Sequence, residues 1–133
     1  MRTGIAWMIA ACLVTACGLP TDPLPAEPAE GAMEKGPVFI SSTELLLLES
    51  FPVQVNLHVK GSLPTPCHTP VWSVSGPDEK GRIIVDLRSE APAGLACAEV
   101  LQDLDLTIPL GSFSEADYTV YLNGEAVGEV RLP

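Results

Sequence analysis

Aromatic side chains are scarce: two Trp, two Tyr and three Phe in 133 residues. Stacking platforms for bases are therefore few. Cations are scarce as well, with 7 Lys+Arg against 17 Asp+Glu and a formal charge of −10. That balance argues against a nucleic-acid partner. There is no apolar run of the roughly 20 residues that a membrane-spanning helix needs. The G-x-S-x-G elbow, H-E-x-x-H, the Walker A loop and G-x-G-x-x-G are all absent, so no nucleophile, zinc or phosphate-binding signature is present. No C-x-x-C pair suggests a zinc site. The expectation is a protein without enzyme activity, metal or cofactor.

What remains is apolar and proline-rich. Hydrophobic residues make up 47% and there are 13 prolines, too much apolar content for a disordered acidic tail. The length suits one ordinary domain. Arg2 precedes a 12-residue apolar run, Ile5–Ala16, interrupted only by Thr15. Residues 1–16 thus read as a secretory signal peptide.

The end of that run, Val14-Thr15-Ala16-Cys17, resembles a bacterial lipobox. The resemblance implies a diacylglyceryl group on the Cys17 thiol, and cleavage that makes Cys17 the first residue. The alternative is an ordinary signal peptide cut near Ala16 or Gly18. Two or three acyl chains would form a stable membrane anchor, in the outer membrane or on the outer face of the cytoplasmic membrane, with the protein facing the periplasm or the exterior. Gly18–Gly36 holds four prolines and four acidic residues without apolar periodicity. It reads as a polyproline-II tether of about 3.1 Å per residue, so residues 17–36 form the lipidated lead-in and residues 37–133 the domain.

Within the domain, apolar residues alternate with polar ones. Val53, Val55, Leu57 and Val59 form one row, Ile83, Val85 and Leu87 a second, Leu104, Leu106 and Ile108 a third, and Tyr118, Val120 and Leu122 a fourth. A period of two marks half-buried strands. Val71–Val74 is a shorter candidate, and Asn123-Gly124 supplies a type I′ turn into a last strand over 125–132. Leu45–Leu48 fits one turn of helix or an extended first strand, and the flanking Val38–Ile40 and Phe51-Pro52 favour the strand. Ala96–Leu101 fits a short helix confined by Pro92 and Gly94. About seven short strands predict an all-β, immunoglobulin-like antiparallel β-sandwich.

Four cysteines divide by position. Cys12 falls in the signal peptide and Cys17 is the lipid site. Cys67 and Cys97 remain, and export predicts a disulfide between them. The rival is a zinc or reactive-thiol site. His58 on a polar strand face and His68 in the proline-bounded loop 66–70 are the only histidines. Each reads as an ordinary solvated or loop residue. A weak metal site would need the two histidines and a nearby Asp to approach each other. Asp103 and Asp105 share a strand face as a possible carboxylate pair, but a solvated face explains them better. Asp78–Gly81 reads as a hairpin turn.

The segments Glu49–Val55, Gly61–Pro64, Cys67, Cys97, Ile108–Leu110, Tyr118–Val120 and Asn123-Gly124 together resemble a group of exported bacterial β-sandwich proteins, over most of residues 44–127. That resemblance implies the fold and the export, and no catalytic residue. A more distant likeness is to small secreted sandwiches that inhibit proteases, the chagasin type, which act through loops at one end. The loops that would serve are 61–70, 76–81 and 90–96, although chagasin-type loop motifs are missing from them. The expected role is thus a lipoprotein that presents a disulfide-braced sandwich to a protein or envelope partner. The alternatives are a membrane-tethered inhibitor, or an enzyme or metal carrier using His58 and His68.

Overall fold

In a computed structural model, described for residues 31–114 and 117–132, the alternating rows become buried faces. Val55, Leu57, Val59, Ile83, Val85, Ile108 and Val120 are fully buried. Each such side chain contributes roughly 1.5–3 kcal/mol relative to exposure. The polar residues between them point outward, as a period of two requires. The signal peptide 1–16, Cys17 and the tether up to residue 30 lie outside the described residues.

The strands are β1 (Met33–Gly36), β2 (Phe39–Leu48), β3 (Val53–Leu63), β4 (Thr69–Ser75), β5 (Arg82–Pro92), β6 (Gln102–Phe113), β7 (Asp117–Leu122) and β8 (Glu125–Arg131). One sheet is ordered β2-β3-β6. The other is built around β5, with β4 along one edge and both β1 and β7 along the other, and β8 beyond β7. The two sheets enclose a single core cluster. This is a β-sandwich, and the described residues contain no helix.

Several expectations become specific here. Leu45–Leu48 is strand, not a helical turn. Its pairing with β3 puts Leu45 and Leu47 opposite the buried Leu57 and Val55, and Leu46 and Leu48 opposite Asn56 and Gln54. Ala96–Leu101 is not helical but an irregular crossing from β5 to β6. Met33–Gly36, expected in the tether, pairs with Ser89–Pro92, so the sheet begins four residues before Pro37. One pairing departs from an all-antiparallel sandwich. β5 and β7 run parallel over Arg82–Val85 and Thr119–Leu122. The reason is the path between them: β6 reverses direction within the opposite sheet, and β7 returns beside β5 pointing the same way.

The β5 edge shared by β7 and β1 has a gap at Leu87, and Asn123 fills it. Its side-chain oxygen accepts from the Leu87 N–H at 2.8 Å, and its amide nitrogen donates to the Leu87 carbonyl at 2.9 Å. Asn123 also opens the hairpin turn, with φ 50° followed by φ 85° at Gly124. These are the two positive φ values that a type I′ turn needs. Proline also sits where a ladder tolerates it. Pro70 lies in β4 and Pro109 in β6, both at sheet edges.

Candidate functional site

Strand direction gives the sandwich two distinct ends. At one end lie the start of β1 and β2, the loop 64–68 from β3 to β4, and the crossing 93–101 from β5 to β6. At the other lie the turn 49–52, the hairpin 76–81 and the start of β7.

Cys67 and Cys97 form a disulfide at the first end, with Cα atoms 6.2 Å apart. It ties the loop 64–68 to the crossing 93–101. Thr65 organises the first of these. Its hydroxyl lies 2.7 Å from His68 Nδ1 and accepts from the Cys67 N–H at 3.3 Å, while its carbonyl accepts from the His68 N–H at 3.2 Å. The His68 ring then lies over Gly36 of β1. A Cβ at Gly36 would stand 2.9 Å from both His68 Nε2 and Ser89 Oγ, so the ring can seat there only against glycine. Ser89 is the one buried polar residue among those described. It donates to the Pro37 carbonyl at 2.8 Å, which satisfies both groups. The Ala93 N–H donates to the Ala32 carbonyl at 2.8 Å and extends the β1–β5 ladder into the crossing. His68 therefore joins the disulfide loop to the first strand.

His58 sits elsewhere, on the outer face of the three-stranded sheet, between Glu44 and Thr107 in register. Its Nε2 lies 2.6 Å from Asp105 Oδ1. That hydrogen bond holds the Asp105 carboxyl below its ordinary value. Asp103 is in register with Ser62. The structure thus pairs His58 with Asp105 and places His68 against the other sheet. Among the described residues, no group of three or more His, Cys, Asp or Glu side chains is placed to hold a metal ion.

Asp78 organises the opposite end. Its carboxylate accepts from the backbone N–H groups of Lys80 and Arg82, each at 2.9 Å, and from Arg82 Nε at 2.7 Å. The Arg82 N–H is the largest cause holding this carboxyl below its ordinary value; the Arg82 guanidinium and the Lys80 N–H add to it. The Gly81 N–H donates to the Asp78 carbonyl at 2.9 Å, so Asp78–Gly81 is the turn expected from its sequence. The three loops considered for protease contact do not share one end. Loops 61–70 and 90–96 lie at the disulfide end, and 76–81 lies at the other. On the outer face of the larger sheet, Arg82, Ile84, Tyr121 and Gly124 line an open depression of about 250 Å³. Small-molecule sites usually measure roughly 300–1,000 Å³.

Sequence reasoning missed the Gly36–His68–Ser89 contact and the bridging role of Asn123. The first has no local signal, because its members lie far apart in the chain. For Asn123, the turn signal was legible and its bond partner was not.

No curated protein and no solved structure matches this chain. A family model, the ORF11 beta-sandwich domain, matches residues 57–132, which run from within β3 to the end of β8. That span is more than half of the chain and includes both halves of the core and the disulfide. The chain belongs to the ORF11 beta-sandwich domain family.

Proposed function

We propose that the chain is a non-enzymatic lipoprotein of a bacterial cell envelope. It would be anchored through acyl chains on Cys17 and hold its β-sandwich on a proline-rich tether, for binding or structural interaction with another envelope component. The observation that carries this reading is the union of Cys67 and Cys97 in a chain whose first residues read as an export address. Thiol pairs persist as disulfides in oxidising compartments outside the cytoplasm. The motif Val14–Cys17 then supplies the anchor, and the acidic, proline-rich stretch after it supplies reach.

The test is an intact mass of the protein extracted from the membrane fraction of its native host, with and without reduction before alkylation. The expected species begins at Cys17, carries added acyl mass, and alkylates at Cys67 and Cys97 only after reduction. A soluble chain without acyl mass would refute the anchor. Free alkylation of both cysteines would refute the oxidised compartment and reopen thiol or metal chemistry.

A further inference from the structure

Large apolar side chains are exposed at both ends of the sandwich, with Leu47, Leu48 and Phe51 at the end opposite the disulfide, and at Trp72 on β4. At the disulfide end, Met33 is 50% exposed, Phe39 49%, Leu95 56%, Val100 57% and Leu101 64%. Three of these belong to the crossing 93–101, a stretch whose only charged residue is Glu99. In a chain of net charge −10, this stretch of nine residues carries a single acid. The disulfide at Cys97 and the Ala93–Ala32 hydrogen bond hold the crossing at its base. Leu95, Val100 and Leu101 consequently stay above the sheets and do not fold into the core.

The chain also enters the sandwich here. Ala32 is bonded to Ala93 of the same crossing, and β1 runs from this end inward. Fourteen residues separate Cys17 from Ala32. Even fully extended as polyproline II they reach only about 43 Å. An anchor at Cys17 therefore attaches the sandwich by its disulfide end, opposite the turn at Phe51, which is 87% exposed.

We propose that the apolar crossing Leu95–Leu101, with Met33 and Phe39 beside it, is a membrane-contact surface that seats the disulfide end of the sandwich on the lipid bilayer. This rests on the lipid-anchor reading above. Apolar side chains that enter the boundary of headgroups and acyl chains add to an acyl anchor, as they do for interfacial segments. The surrounding acidic surface would be repelled by anionic headgroups, so the nearly neutral crossing is the part that can approach. The anchored sandwich then has one orientation, with the Phe51 end free for a partner.

The test uses the lipidated chain, purified from membranes and reconstituted in phosphatidylcholine vesicles with or without brominated acyl chains. A chain beginning at Cys17 retains Trp72 as its single tryptophan. Two reporters are made in a Trp72→Phe background, Leu101→Trp and Phe51→Trp. Brominated lipid is expected to quench the Leu101→Trp emission at least about two-fold more than that of Phe51→Trp. Hydrogen exchange on the unsubstituted protein gives a second readout, with residues 93–101 protected on vesicles relative to detergent and residues 49–52 unchanged. Equal quenching at the two positions and no protection of 93–101, in a chain that carries its acyl mass and sediments with the vesicles, overturns the orientation alone. Protection of 93–101 that grows with protein concentration in detergent also overturns it, in favour of a second copy. A chain without acyl mass that stays in the supernatant overturns the anchor and the orientation together.

Discussion

Asn123→Ala removes the side chain that closes the gap in the β5 edge. Two hydrogen bonds to Leu87 disappear. Each contributes about 1 kcal/mol net. Leu87 itself is buried, so its N–H and C=O regain water only if the edge opens. The substitution also leaves alanine at φ 50°, a left-handed conformation that costs about 1 kcal/mol for a residue with an ordinary side chain. The expected loss is about 3 kcal/mol, a large share of the roughly 5–15 kcal/mol that keeps a domain folded. Asn123→Gly separates the two contributions. It loses the same hydrogen bonds and accepts the positive φ, so it should lie about 1 kcal/mol above the alanine variant. Urea unfolding of the disulfide-intact protein, followed by circular dichroism, gives both values by linear extrapolation. Exchange at the Leu87 amide should rise in both variants. An alanine variant within about 0.5 kcal/mol of the parent, with Leu87 still protected, would refute the account of this edge.

Gly61→Ala should be more damaging than its size suggests, because the new Cβ would collide with the Phe39 carbonyl oxygen. Backbone must move there, beside the β2 bulge at Ile40/Ser42, and a loss of at least about 2 kcal/mol in the same urea assay is expected. Reducing the disulfide opens a loop set by a separation of 30 residues. It should lower stability by about 3–4 kcal/mol in the chain-entropy model, read as a lower urea midpoint in reductant. Acid should destabilise the fold through Asp78 and Asp105, both held below the ordinary value of 3.8. A depressed carboxyl stabilises the folded state above its unfolded pKa, and that contribution is lost as pH falls through the folded value. The urea midpoint should therefore drop below about pH 4, and by less in an Asp78→Asn, Asp105→Asn double variant. An identical drop in that variant would place the acid sensitivity in other groups.

Where one face of a strand is buried, the sequence had to alternate, and β3, β5 and β6 were readable for that reason. Val55, Leu57 and Val59 could not be shifted by one residue without exposing the whole row. The four leucines of β2 carry no period. Their assignment depends on the ladder with β3, which sets Leu45 and Leu47 opposite the buried Leu57 and Val55, and Leu46 and Leu48 opposite Asn56 and Gln54; at the end of the strand Leu47 and Leu48 stay exposed. β1 was hidden for a different reason. Its sequence, Met33-Glu34-Lys35-Gly36, is polar and short, with no propensity to extend on its own. It is a strand because the upper half of the β5 edge, beyond Asn123, has backbone groups that need partners. The parallel run of β7 beside β5 is likewise invisible locally, since it follows from which sheet β6 joins.

The candidate site divides along the same line. The cysteines could be read by counting, because export and a two-member set left a single intramolecular pairing. His68 could not. Its conformation is set by Gly36, Thr65 and Ser89, two of which lie more than twenty positions away. Ala96–Leu101 is the more instructive difference, because the sequence fits a short helix there and the structure has none. A helix or strand buries its apolar face only when a second layer lies over it. At residues 93–101 both sheets have already ended, and the bond to Cys67 fixes the crossing at that height. The same composition that forms a core within β3 here forms a surface. Its proximity to the point where the chain enters the sandwich gives that surface a direction.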